Sequence, residues 1–183
     1  EIEQRGLALT PVGLELYDEA LAAVEERRAA GEPLTPAAIA EAFAALPDDF
    51  AALRAAGLGY FAYEPTAAGL QRPAEQLPRD RDALVAGGWL IARPIRYEDF
   101  LPVSAAGIFA SNLRQSGARR SGDSPHGQAD LEEILGRAVL DSNAMYAAQE
   151  AGSLQRSYAA LGVMPAADEV ERLARALASS PPA

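Results

Sequence analysis

Thr10-Pro11 and Thr35-Pro36 mark two points at which this chain turns helical. A threonine side chain at the N-cap accepts a hydrogen bond from a first-turn N–H. Proline just after it loses no hydrogen bond there, and its φ already suits a helix. Leu14, Leu16, Tyr17, Leu21 and Val24 follow the first pair as an apolar stripe at helical spacing, and Gly31 ends it. Ile39, Phe43 and Leu46 share one face after the second pair, until Pro47 stops it. Asp48 or Asp49 can cap a short third helix through Leu53 to Ala56, closed by Gly57. Asp82 to Gly88 suits one or two helical turns, and Asp130 caps a helix toward Gly136. Asp141 caps a longer helix through Met145, Tyr146, Leu154 and Tyr158 to Leu161, and residues 165–178 suit a last amphipathic helix.

Strand signals are few and short. Glu1-Ile2-Glu3-Gln4-Arg5 alternates in charge with the period of a strand, and Gly6 is expected to interrupt it. Gly59-Tyr60-Phe61-Ala62-Tyr63 and Trp89-Leu90-Ile91-Ala92 suit two more, with Pro94 placing the second at an edge. Residues 64–80 and 114–129 read as loops, and 97–113 fits no single period. The expected class is α+β, helix-rich with a few short strands. The 183 residues suffice for a real core, but much of the 49% hydrophobic content is alanine, which buries little area.

Charge and composition exclude several functions. The net charge is −10 and the basic residues are scattered, so neither nucleic acid nor an anionic membrane is an expected partner. No apolar run approaches the roughly 20 residues of a membrane span. With no cysteine, there is no disulfide, thiol nucleophile or thiolate metal site, which fits a reducing cytoplasm. His126 is the single histidine, so this chain alone cannot build a site needing two or three imidazoles.

Some groups can carry chemistry, each with a plainer alternative. Glu1, Glu3 and Arg5 share one strand face, as metal-binding carboxylates or as a solvated charged edge. From Phe100 to Gly107, small residues beside Pro102 bring backbone N–H groups toward a substrate carboxylate, or form a packing turn. In that segment Ser104 has a hydroxyl to donate. Tyr97-Glu98-Asp99 offers paired acids, or a cap and a surface ion pair. Tyr60, Phe61, Tyr63, Trp89 and Phe100 line a pocket or fill a core.

Glu1-x-x-Gln4-Arg5 resembles the metal strand of vicinal-oxygen-chelate dioxygenases. The blocks GLALTPVGLELYDE, PDDFAALRAAGLGYFAY, GGWLIARPIRYEDFLPVSAAGIFASNL and LGRAVLDSNAMY together resemble a narrower family. It is the 2-oxoadipate dioxygenase/decarboxylases, also called 2-hydroxyglutarate synthases, and the likeness runs from Glu1 to about Leu161. The resemblance implies the helix-rich carboxy-terminal part of a vicinal-oxygen-chelate-like enzyme, with residues 1–162 in the dioxygenase domain and 163–183 as a helical or frayed tail. It implies Fe(II) as cofactor, with a small 2-oxo dicarboxylic acid and O2 as substrates. Family members convert 2-oxoadipate and O2 into 2-hydroxyglutarate and CO2, a step of lysine breakdown. Carried over by position, Glu1 is the iron carboxylate and Val103 touches the substrate, with Ser104 beside it. Glu98 ranks second as the iron carboxylate, because the Gln4-Arg5 register favours Glu1. The family's two His ligands and a substrate-binding Arg precede this block. The remaining amino-terminal part of the enzyme is therefore an expected partner, and His126 is not an expected ligand. A non-catalytic helical interaction domain is the alternative.

Overall fold

The computed structural model describes residues 2–100, 132, 133, 136 and 141–179. The chain divides into two units, one of Glu1–Arg5 with Tyr97–Asp141 and one of Gly6–Arg96 with Ser142–Ala183. In the first, the described elements are strands β1 (Ile2–Leu7) and β4 (Arg96–Phe100), which pair and run across the unit boundaries. Gly6 lies inside β1 and does not interrupt it as expected.

The second unit opens on the Thr-Pro helices. Thr10 accepts from the Gly13 N–H (3.2 Å) at the head of α1 (Pro11–Ala29). Thr35 accepts from Ala38 N–H (3.2 Å) at the head of α2 (Pro36–Ala42), which ends short of the expected Leu46. Asp49 caps α3 (Phe50–Ala55), accepting from Ala52 N–H at 2.8 Å. The expected loop 64–80 contains a further helix, α4 (Ala67–Gln71), and a 3-10 turn at Ala74–Gln76. Its Pro and Gly content hid a cap, because Thr66 accepts from Gly69 N–H at 3.0 Å. Asp80 caps α5 (Arg81–Ala86), which starts one residue before the turns expected over Asp82 to Gly88.

A supersecondary unit occurs twice here, although the sequence shows no obvious repeat. Asp49, Leu53, Gly57 and Leu58 have the same spacing and roles as Asp80, Leu84, Gly88 and Trp89. In each set an Asp caps a short helix and a glycine at positive φ (Gly57 +68°, Gly88 +74°) closes it. The next residue's N–H then reaches back to the leucine carbonyl at 2.9 Å. A threonine-capped helix sits on each. Thr10 donates through its hydroxyl to Gly57 O (2.8 Å) and through its N–H to Leu58 O (3.1 Å). Thr66 does the same to Gly88 O (2.8 Å) and Trp89 O (2.9 Å). Three residues on, Gly13 and Gly69 lie so close to those Leu58 and Trp89 carbonyls that a Cβ has no room.

Strand β2 (Phe61–Pro65) runs antiparallel to β3 (Leu90–Pro94), with Phe61 opposite Pro94 and Pro65 opposite Leu90. Pro94 is thus at the end of a strand, where its missing N–H does least damage. Helix α6 (Ser142–Leu161) begins just after Asp141 and packs on β2. Ala151, Leu154, Tyr158 and Leu161 bury one helical stripe against Phe61, Tyr63, Leu77, Leu84 and Leu90. Of the expected aromatic group, Phe61 and Tyr63 are core, and Trp89 is half-buried with the Arg72 guanidinium 5.3 Å from its ring centre. Residues 163–183 carry α7 (Ala167–Ala178), whose Leu173 joins the core together with Val163.

The glycine seats lead to a stability prediction. Gly13→Ala in the intact protein gains up to about 1 kcal/mol of helix propensity but forces the α1–Leu58 contact apart, which costs about 1–3 kcal/mol. Chemical denaturation should therefore show a lower midpoint than wild type. A midpoint at or above wild type means that the close seat of α1 on Leu58 is absent.

Candidate functional site

In an antiparallel pair, alternate residues point their N–H and C=O away from the partner strand. In β2 these are Phe61 and Tyr63, and α6 meets them with side chains. Phe61 N–H donates to Glu150 Oε2 (2.8 Å), and Tyr63 N–H donates to Ser153 Oγ (2.9 Å). Ser157 Oγ donates to Tyr63 O (2.9 Å). One helical turn before Glu150, the Tyr146 ring lies 6.0 Å from the Tyr60 ring. Residues 146, 150, 153 and 157 follow helical spacing, so α6 carries a polar row beside its apolar stripe. Sequence reading missed this row, because only the apolar stripe stands out. The detectable signal was Glu150, Ser153 and Ser157 at i, i+3 and i+7 on a face flanked by Leu154 and Tyr158.

Just before Phe61, three backbone segments close a ring. Ala8 N–H donates to Ile95 O (2.7 Å), Ile95 N–H to Tyr60 O (3.0 Å), and Tyr60 N–H to Ala8 O (2.9 Å). Ala8 follows β1 directly and Ile95 precedes β4 directly.

Glu150 also anchors an ion network. Its Oε1 lies 3.2 Å from Arg172 Nη1 and 3.8 Å from Arg81 Nη1. Arg172 grips Glu169 in a two-pronged bond, both contacts at 2.8 Å. Arg81 also meets Asp82 (3.3 Å), and Asp82 pairs with Arg54 of α3. The network holds equal numbers of guanidinium and carboxylate groups. The Glu150 and Glu169 side chains keep only 13% and 14% of their exposure, so these charges persist because they are paired. Strong hydrogen bonds to Glu169 raise the Arg172 pKa against the opposing effect of burial. Burial pushes the Asp82 carboxyl up, but Arg54 and Arg81 outweigh it and leave the group below its ordinary value. Burial raises the Tyr63 hydroxyl despite Arg81 and Arg54, and raises Tyr158 further with help from Glu169 and Asp80. Such a balanced set fastens helices together; it leaves no free acid or base for chemistry. No group of three or more His, Cys, Asp or Glu among the described residues is arranged to hold a metal. Nor is any helix among them long and apolar enough to cross a membrane.

The sequence-predicted site residues Glu1, Val103 and Ser104 lie outside the described residues, as does His126. All four belong by number to the first unit. Glu3 and Glu98 fall on the paired strands β1 and β4. Glu1 directly precedes β1, and Val103 and Ser104 follow closely after β4.

A family model described as 2-oxoadipate dioxygenase/decarboxylase matches residues 1–112. This chain belongs to that family. The match takes in both strands and the positions of Glu1, Val103 and Ser104. The 2-oxoadipate dioxygenase/decarboxylase of Shigella flexneri is 43% identical over 164 residues, 85% of this chain and 34% of that protein. The Pseudomonas putida enzyme of the same name is 43% identical over 171 residues, 89% of this chain and 36% of that protein. The crystal structure of the hydroxyglutarate synthase from Pseudomonas putida in complex with 2-oxoadipate is similar, with a TM-score of 0.66 and 38% identity. That likeness covers 86% of this chain and 34% of that chain. The chain thus spans about a third of the length of these family members. The mixed helix and small-sheet architecture agrees with the α+β class expected from sequence.

The buried tyrosines lead to a pH prediction. A folded-state pKa above the unfolded value of about 10 means that the fold favours the neutral phenol. That contribution is complete below about pH 10 and is lost as pH rises through the folded values. Thermal melts of the intact protein should therefore drop steeply above about pH 10, and the drop should be shallower in Tyr158→Phe. Equal slopes in the two proteins would refute a role for Tyr158.

Proposed function

We propose that this chain forms part of an Fe(II)-dependent dioxygenase/decarboxylase that converts 2-oxoadipate and O2 into 2-hydroxyglutarate and CO2. The 43% identity to relatives bearing that activity as their name carries the reading. The reaction balances with one carbon leaving as CO2 and both oxygen atoms of O2 retained in the products. A vicinal-oxygen-chelate ancestry belongs to the same proposal, supported by the Glu1-x-x-Gln4-Arg5 pattern, and a role in lysine breakdown is what the family resemblance implies.

The residues of this chain do not make a complete iron site. A two-His, one-carboxylate centre needs two imidazoles, and this chain has a single histidine. It offers one corner, the Glu1 carboxylate next to β1. The imidazoles come from the length of the family members that this chain does not span. When bound, Fe(II) would supply the redox centre through which the 2-oxo acid reduces O2. The chain's own tasks are then to offer the Glu1 carboxylate, next to β1 in sequence, and to bind substrate. By the family resemblance, substrate contact is assigned to Val103 and a further hydrogen bond to Ser104. A small change in this pocket is enough to shift preference to a neighbouring 2-oxo acid.

Two measurements test this on the intact protein. O2 uptake with formation of 2-hydroxyglutarate is expected on adding 2-oxoadipate; no uptake with any 2-oxo diacid favours a non-catalytic helical domain instead. Glu1→Ala should weaken iron binding by at least about tenfold. Full iron occupancy in that variant would end the ligand assignment.

A further inference from the structure

We propose that the α1–α2 hairpin presents an apolar face on which the intact enzyme packs a segment from outside these 183 residues. The inference needs the family membership but not the proposed iron chemistry, so either can fail alone.

The two helices are fixed against each other. The Tyr17 and Phe43 rings lie 5.6 Å apart at 60°. Arg27 Nη1 donates to Ala38 O (3.2 Å) and to Glu41 Oε2 (3.1 Å). A helix normally hides its apolar stripe under another element. In this same unit α6 does so, burying Leu154, Tyr158 and Leu161. By contrast, α1 buries only Gly13 and Ala20, and α2 buries no residue. Leu14, Leu21, Val24 and Phe43 are half-buried, while Tyr17 and Ile39 stay 39% and 40% exposed. Ile39 sits one turn before Phe43, so it extends the Tyr17–Phe43 contact into one face. Such a face, on two helices already held in place, marks an interaction surface.

Charge and chain length select the occupant. Residues 11–49 hold nine Asp and Glu against Arg27 and Arg28, a net −7 of the chain's −10. A twofold contact of this face with a second copy brings those like charges together, which opposes self-association. The remaining arginines are scattered and give no basic surface to meet an acidic one. The family members, in turn, are about three times as long as the part this chain matches. A segment of the same covalent chain meets the face at an effective concentration that a second molecule does not reach.

The test uses the intact protein, with the peptide that carries position 39 read by mass spectrometry. In the native state, Ile39→Cys should react with a maleimide at least about tenfold slower than in the unfolded chain. A native rate within about threefold of the unfolded one means that the face is open to solvent, and it overturns the proposal. Photo-cross-linking from Ile39→p-benzoylphenylalanine then identifies the occupant. The expected cross-linked peptides lie outside these 183 residues and within the same molecule. Cross-links only within these residues, pairs that mix two isotopically distinct copies, or no cross-link would each overturn it. Should the bulky group prevent folding, the same replacement at Leu34, 38% exposed just before α2, takes its place. An intact protein with no 2-oxoadipate-dependent O2 uptake removes the proposed function instead and leaves both readouts standing.

Discussion

The outward edge of β2 is the constraint on which the larger unit depends. A two-stranded pair leaves one edge of each strand without partners, and two strands alone are marginal in water. Here a helix takes the place of a third strand. Glu150 and Ser153 accept the free N–H groups of Phe61 and Tyr63, and Ser157 donates to the Tyr63 carbonyl. Each bond is modest in net terms, about 1 kcal/mol, but each also prevents a buried polar group from going unmet. The apolar stripe of Leu154, Tyr158 and Leu161 lies alongside, so burial and hydrogen bonding pin α6 at the same place.

Electrostatics extends that attachment outward. Glu150 joins the strand edge to Arg172 of α7 and Arg81 of α5, and Asp82 carries the chain of charges on to Arg54 of α3. The chain as a whole is strongly acidic, yet this network is charge-balanced. Arginine suits it, because a planar fork holds a carboxylate bidentately, as Arg172 does Glu169. The opposite shifts of Asp82 and the tyrosines follow from the same surroundings. Arginines stabilise the ionised carboxylate, whereas burial penalises the ionised phenol.

The twofold use of one seat, a threonine-capped helix on a glycine-closed one, explains how small residues order so much of the chain. Gly13 and Gly69 are buried, and each lets a helix approach a backbone carbonyl. An alanine-rich sequence has little side-chain area with which to secure its helices. Close backbone approach and paired threonine hydrogen bonds supply contact that bulk cannot.

Local rules were enough to find the helix starts at Thr10 and Thr35, to narrow the third to Asp48 or Asp49, and to find the stops at Gly31 and Gly57 and the long helix after Asp141. Capping and chain reversal are decided within four or five residues, and the sequence displays them directly. Family membership was also legible, in the run from Glu1 to the YEDFLPVSAAGIF block. The helix hidden in 64–80 was not, because Pro and Gly there outweighed a single Thr66 cap. Nor was the role of Glu150, Ser153 and Ser157. Their partners lie about ninety residues away on β2. A polar side chain on a helix looks solvent-facing until the fold brings it to an unpaired strand edge. The sequence by itself determined where the elements begin and which family they serve. Only the tertiary structure decided which helix completes the sheet, because the hydrogen-bonding needs of an edge strand exist only once the strand is paired on one side.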